Sequence, residues 1–356
     1  MAAAGLALAS PASHWPNLPA LVAELQHRGF APELLKTGRE SSSAWQSLLR
    51  PRSAESDESS DSSYAYVLNL KRWSKSRSWG LVFFESSLQP TAQDLAHTNF
   101  AIKTQAPDAA LDFVLRRLAL PEWSGQGEPI PDGVSAERGV VVGAGTLIGP
   151  GTVLEAGVRI GAHCRIGSDC RIGAHSRIGD GCQLGDRVTL TGQVSVGGQG
   201  FGFVKAPGKS AGSPRLHVGG VRIGDDVRLG AFVAVDRGVF EDTVIGPRTA
   251  LDNHVQIAHN CVLGADDVLC GFVGLSGSTV LGDGVTLAGL VGTKGHLRIG
   301  HGVTVAAQSG VTSDLPDHSG VWKGYPPRPL AEALKNQVLV EKLPEFLERL
   351  RKLEKT

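Results

Sequence analysis

Large side chains are scarce here: aromatic residues make up 6% of 356 positions, and there is a single methionine. A globular core of ordinary thickness leans on such side chains, so this chain must bury its interior differently. Neither sign of charge dominates, with 35 Lys and Arg against 35 Asp and Glu. That balance leaves no field for gathering nucleic acid. No apolar run is long enough to span a bilayer, so no integral membrane segment is expected. The opening MAAAGLALASPA has an apolar stretch without a positive residue before it, unlike a secretory leader. The five cysteines form no CxxC pair, which argues against a zinc ribbon or a dithiol redox centre. Cys164 and Cys182 read instead as small corner-filling side chains of a reduced, cytoplasmic protein, with no metal site.

What the chain has in abundance is glycine, 46 residues, set behind a regular series of aliphatics. Val142, Ile148, Leu154, Ile160, Ile166, Ile172, Ile178, Leu184, Leu190 and Val196 return every sixth position. The beat resumes at Ile223, Leu229 and Val235, slips by four residues, and continues from Ile245 to Leu287. Thr293 breaks it once before Ile299, Val305 and Val311 close it. A six-residue step turns roughly 240° around a helix, so no helical face collects these positions. Six is a multiple of the strand period, so each unit is a short strand plus a corner. A glycine or small polar residue then stands where the backbone turns tightly or needs a positive φ. A period held this long dictates a solenoid, each strand pairing with its counterpart one coil on.

The pattern resembles the hexapeptide-repeat left-handed parallel β-helix, a mainly β fold in which three six-residue faces make one triangular coil. The chain divides accordingly. Residues 1–125 lack the repeat and read as a mixed α/β domain, with helices near Leu18–Leu25 and Ala109–Leu118 and strands at Tyr64–Leu70 and Trp79–Phe84. Within it, 53–63 (SAESDESSDSS) is an acidic, serine-rich loop. The β-helix covers 126–320 and is interrupted by a loop at 198–220. Residues 321–356 form a tail, in which WKGYPPRP breaks regular structure before a C-terminal helix carrying Leu343, Leu347 and Leu350 on one side. Both ends of a β-helix need covering, and its flat sides favour burial between copies, so a homotrimer is expected.

The densest chemistry lies in LDNHVQIAHN, residues 251–260. His259 falls two positions after the inward Ile257, at a corner, with Asp252, Asn253 and Gln256 nearby in sequence. His296 falls close to two coils further on, which places the two histidines on one edge about 10 Å apart. A solenoid corner is naturally polar, so either histidine alone is modest evidence; together they mark a site. His254, His259 and His296 also leave open a γ-type zinc carbonic anhydrase, although its wide and narrow gaps come in the opposite order. A β-helical scaffold without activity is the third class of reading, and it has no use for such an edge.

Four segments carry a sharper resemblance: GGQGFGFV (197–204), VDRG (235–238), DNHVQIAHN (252–260) and GHLRIG (295–300). In this order they resemble the UDP-3-O-acylglucosamine N-acyltransferases of lipid A biosynthesis, over about residues 100 to 330. The resemblance implies transfer of a (hydroxy)acyl chain from an acyl carrier protein to the 2-amino group of a UDP-sugar. It further implies His259 as general base, Asp252 orienting that region, and His296 near the thioester. Asn253 and Gln256 would contact substrate. No cofactor is implied beyond the carrier's phosphopantetheine thioester, which is a co-substrate. Other sugar-nucleotide acyltransferases with the same repeat remain an alternative.

The family's uracil-holding segment is matched less well. Tyr66 and Asn69 stand in YVLNLKRW, where a proline is missing and Arg72 or Trp73 replaces a tyrosine. Tyr66 can still stack on a base and Asn69 pair with its edge. Phe201 and Phe203, aromatics in an interrupting loop, are candidates for the sugar nucleotide or for a neighbouring subunit. The charged tail fits either a helical bundle or contact with an acidic carrier protein.

Overall fold

The computed structural model describes residues 18–28, 30, 32–35, 64–67, 79–91, 95, 98–118, 127–205, 207–208 and 210–353. The 53–63 segment and Asn69 lie outside the described residues. Among the described residues no helix is long and apolar enough to cross a membrane.

The N-terminal unit is α/β. Helix α1 (Leu18–His27) is followed by β1 (Glu33–Leu35), β2 (Tyr64–Val67), β3 (Trp79–Glu85), β4 (Thr98–Thr104) and helix α2 (Pro107–Leu118). The sheet order is β1-β4-β3-β2, with β3 parallel to both neighbours and β1 antiparallel to β4. Leu21 and Leu25 of α1 and Ala110, Leu111, Val114 and Leu115 of α2 recur at helical spacing. They close over Leu81, Phe83 and Ile102 of the sheet, and Val204 from the interrupting loop joins the same buried cluster.

From Ser135 the chain coils as a three-sided parallel β-helix, visiting sheets of eleven, nine and eight strands in turn. Strands pair with a shift of one full coil, as in Arg165↔Gln183, Arg171↔Thr189 and Arg177↔Ser195. From Val141–Val142 on, the second residue of each two-residue coil strand points inward, as do Val196 and Val235 of longer strands, so Ile160, Ile178, Val196, Val235, Ile257 and Leu275 stack into one buried column. Cys164 and Cys182 are free, fully buried thiols at equivalent corners of neighbouring coils.

Two corner requirements, merged in the sequence pattern, separate here. Outside Gly197, at the start of the excursion, the glycine directly behind the inward aliphatic does not have a positive φ; it admits the next coil's backbone. A Cβ on Gly161 would stand 2.6 Å from the Asp180 nitrogen, and one on Gly173 2.5 Å from the Thr191 carbonyl carbon. The left-handed position comes two residues later and is often not glycine. His254 (φ 60°), Asn260 (φ 59°) and His296 (φ 59°) all occupy it. Short polar and aromatic residues tolerate that conformation at modest cost, and the coil geometry demands it.

The tail departs from expectation twice. WKGYPPRP is not irregular: Val321–Gly324 adds in parallel to Thr304–Val305 and forms a hairpin with Pro327–Pro329. Trp322 packs against the solenoid core, and the prolines sit on an edge strand where no ladder N–H is needed. The C-terminal helix is also two helices, α3 (Leu330–Glu341) and α4 (Leu343–Leu353). Pro344 cannot continue α3, because it lacks an N–H and clashes with the preceding turn, yet it fits the first turn of α4.

Candidate active site

The corners that follow the nine-stranded sheet carry the site. Gln256–Ile257, Gly274–Leu275 and Gly292–Thr293 are successive strands of that sheet. Their corners stack His259 on Gly277 and Gly277 on Gly295. Ser278 donates its N–H to the His259 carbonyl at 3.0 Å, and His296 donates to the Gly277 carbonyl at 3.0 Å. His259 and His296 therefore do share an edge, two coils apart. His259 is half-buried, whereas His296 is exposed at the left-handed position.

The imidazole of His259 is fixed by Asn260. Asn260 Oδ1 accepts the Val239 N–H at 3.0 Å, and its Nδ2 donates to the Glu241 carbonyl at 3.0 Å. Two backbone groups thus determine which way the amide points. The same Oδ1 lies 3.1 Å from His259 Nδ1, so Nδ1 must carry the hydrogen. Nε2 is then the basic nitrogen. Gly277 faces it: a Cβ there would stand 2.6 Å from His259 Cε1 and 2.7 Å from Nε2. That corner is held by Thr293, whose Oγ1 accepts the Ser276 N–H at 3.1 Å and meets Thr279 Oγ1 at 3.1 Å. The one polar slot in the aliphatic series is thereby accounted for.

Asp252 is not brought to His259. It belongs to the preceding corner, across the width of the face, where its Oδ1 accepts the Asn253 N–H at 2.7 Å. The carboxylate that interacts electrostatically with His259 is Asp236. Burial pushes its carboxyl up to about 6, opposed by a hydrogen bond from Gln256 Nε2 to Oδ2 at 3.1 Å and by His259 itself. Asn253 is exposed, and its Oδ1 accepts the Ala231 N–H at 2.8 Å, so it serves its corner. His254 stacks between Phe232 (4.9 Å) and Phe272 (4.7 Å) on that same other corner, apart from His259 and His296. Among the described residues, no group of three or more His, Cys, Asp or Glu is arranged to hold a metal.

The 198–220 excursion folds back over this edge. Phe203–Val204 pairs antiparallel with Ser213–Pro214, and helix α2 holds the return strand. Asp112 Oδ1 accepts the Leu216 N–H at 2.7 Å, and Arg215 pairs with Asp108 at 3.2 Å. Phe201 and Phe203 are 82% and 54% exposed and meet edge to face at 5.1 Å. Arg237, buried to 1%, clamps both ends of the loop. Its Nε donates to the Gly197 carbonyl at 2.9 Å and Nη1 to the Gly219 carbonyl at 3.1 Å. Nη2 donates to the Asp180 carbonyl at 3.1 Å. Tyr66 lies on β2 opposite Phe83 by backbone register.

Beyond His259 the nine-stranded sheet is bare of side chains. Its outward positions run Gln256, Gly274, Gly292 and Gly310. A Cβ on Gly274 or Gly292 would meet nothing within 4 Å, while the Tyr325 ring covers Gly310. The result is a smooth track of two bare glycine rungs, about 10 Å from the Gln256 strand to the Gly292 strand, ending where the Tyr325 ring covers Gly310.

The family model described as bacterial transferase hexapeptide (six repeats) matches residues 139–174 and 163–198 of this coil. Among named relatives, the chain is 50% identical over 159 residues to a UDP-3-O-acylglucosamine N-acyltransferase of Methylacidiphilum infernorum, covering 45% of this chain and 44% of that one. It is 54% identical over 68 residues to the protein of that name from Pseudomonas fluorescens, covering 19% of each. The match thus spans less than half the length of these relatives. A solved UDP-N-acetylglucosamine acyltransferase of Francisella novicida aligns with a TM-score of 0.48 at 22% identity, covering 57% of this chain and 73% of that one.

Proposed function

We propose that the chain is an N-acyltransferase that moves a (hydroxy)acyl group from acyl carrier protein to the 2-amino group of a UDP-3-O-acylglucosamine. The observation that carries this reading is the tautomer lock on His259, which leaves Nε2 free as a base on an edge built from glycine. The amine nitrogen attacks the thioester carbonyl as Nε2 removes its proton. The tetrahedral intermediate then collapses, the C–S bond breaks, and the His259 imidazolium returns the proton to the thiolate. Acyl group, amide and thiol balance without a cofactor. Backbone N–H groups at this corner, such as those of Gly277 or Gly295, and His296 are placed on the edge where the oxyanion develops.

The glycine track suits an extended acyl or pantetheine chain, since its Gly274 and Gly292 rungs carry no side chain and the Tyr325 ring closes its far end. The N-terminal unit, packed on the loop, would take the uridine through Tyr66 and Asn69, with Phe201 and Phe203 toward the sugar. The exposed corner ladder of Phe232, Phe272 and Leu290 offers apolar area to another copy, in line with a homotrimer. The charged α3–α4 tail would face the carrier protein in the cytoplasm.

His259→Ala tests the central assignment. It should leave the unfolding midpoint nearly unchanged and lower acyl transfer by roughly 10²- to 10⁴-fold, measured with a carrier thioester and the UDP-sugar. Activity within tenfold of the parent would remove His259 from the role of base.

A further inference from the structure

His217 enters the site from outside the repeat and has a role of its own to explain. It is fully buried on the segment that follows the return strand of the loop. One side chain grips its backbone at both ends: Gln199 Oε1 accepts the His217 N–H at 2.9 Å, and Gln199 Nε2 donates to the His217 carbonyl at 3.2 Å. Its Nδ1 lies 3.1 Å from the Arg215 carbonyl, which can only accept, so Nδ1 carries the hydrogen. Nε2 is left as a bare lone pair, buried and without a hydrogen-bond partner.

A buried, unsatisfied acceptor is costly and needs a reason. Its ring centre is 5.1 Å from that of His259, with the planes tilted by 59°. Gly200 sits between the His217 ring and the base of the His259 side chain, since a Cβ there would stand 2.7 Å from His217 Nε2 and 3.1 Å from His259 Cβ. The lone-pair edge therefore turns to the His259 side. Burial pushes the His217 imidazole down to about 4, against the Arg215 carbonyl bond, with His259, Arg215 and Arg237 pushing the same way as burial. Near neutral pH it is an uncharged dipole, not a competing cation. Asp236 is the carboxyl that also acts on His259.

We propose that His217 is a positioning residue for His259. Locked as the Nδ1–H tautomer, it presents the negative end of a neutral imidazole dipole to His259 and stabilises the imidazolium formed when the amine proton is taken. This rests on the reading of His259 as the base.

The test is the titration of His259, followed by NMR of its ring in the full chain without substrates, alongside the pH profile of acyl transfer. His217→Phe keeps a ring and removes the lone pair. It should lower the His259 midpoint by about one pH unit, move the acid limb of kcat/KM with it, and reduce kcat about tenfold. His217→Gln, with an amide oxygen to offer, should return the midpoint toward the parent, whereas a space-filling role would make Phe the better replacement. Should His217→Phe fail to fold, Gly200→Ala separates the two rings without altering either and should lower the midpoint in the same direction. An unmoved His259 midpoint in the folded variants overturns the proposal. A midpoint that moves in a protein with no transfer activity keeps the positioning role and sinks the acyltransferase reading instead.

Discussion

Gly277→Ala isolates the geometry of the base from the stability of the coil. The backbone at Gly277 does not have a positive φ, so alanine carries no conformational penalty there. Its methyl would stand 2.6 Å from His259 Cε1, and ordinary contact begins near 3.4 Å. The ring must retreat by about 0.8 Å, because it is a side-chain end and the backbone around it is held in the ladder. That retreat stretches the 3.1 Å contact between Nδ1 and Asn260 Oδ1 past hydrogen-bonding range. Both the position of Nε2 and the tautomer that leaves it basic are then lost. A misplacement of about 1 Å at a reacting group costs around 10²-fold in rate. The fold pays little, one half-buried hydrogen bond worth about 1 kcal/mol. Turnover of a carrier thioester with the UDP-sugar should thus fall about a hundredfold while the denaturant midpoint shifts slightly. Gly127→Ala, at the start of the coil and away from the glycine track, is the control, since its Cβ meets nothing nearer than 3.4 Å. Gly277→Ala turnover within threefold of the parent would show that the ring position in this structure is not the reacting one.

Two further outcomes follow from other parts of the coil. Asp267 is fully buried; its Oδ1 accepts the Val285 N–H at 2.7 Å while Oδ2 has no partner, and burial pushes its carboxyl up to about 7. The folded value exceeds the unfolded one, so stability is full below about pH 4 and declines as pH rises to about 7. Asp267→Thr, copying Thr249 one coil back, should remove that decline and add on the order of 1–3 kcal/mol at pH 8, read from urea melts at pH 5 and pH 8. On the homotrimer proposal, Phe232→Ser combined with Phe272→Ser should shift the sedimentation mass from trimer to monomer; an unchanged trimer mass would place the subunit contact on another surface.

The parts of the fold that were legible in the sequence are those a period can encode. The inward column from Val142 to Val311 follows from its spacing, because strand alternation and coil length are both fixed by geometry. Contacts between coils are not encoded that way. Asp252 and His259 share one motif, yet a six-residue face lies between their corners, so closeness in sequence misleads. Asn260 and Asp236 were within the quoted motifs, but their link to His259 depends on which corners stack. His217 gave no signal, because the loop that carries it has no repeat to place it. The tail misled for a related reason: a proline-rich stretch reads as irregular unless the edge of a sheet is known to be waiting for it.

Where the beat lapses, the coil gains backbone groups or side chains that a regular corner lacks. The four-residue slip after Val235 enlarges one corner, and the surplus residues Val239 and Glu241 orient the Asn260 amide. Gly238 makes room for that amide, since a Cβ there would stand 2.9 Å from Asn260 Nδ2. Thr293 gives up an inward aliphatic and in return fixes the corner that faces His259. The 198–220 excursion delivers His217, and Arg237 clamps both of its ends from the same enlarged corner. Thr293 costs the column some apolar burial, of order 1 kcal/mol per missing methylene, while the slip and the excursion leave it continuous from Val196 to Val235 and Ile257. All of them converge on a single imidazole, and random drift of a repeat would scatter such lapses along the solenoid instead. The regular stretch from Leu147 to Leu190 shows that this chain can sustain the beat where nothing else is asked of it, which makes the clustering around His259 an argument for chemistry at that edge.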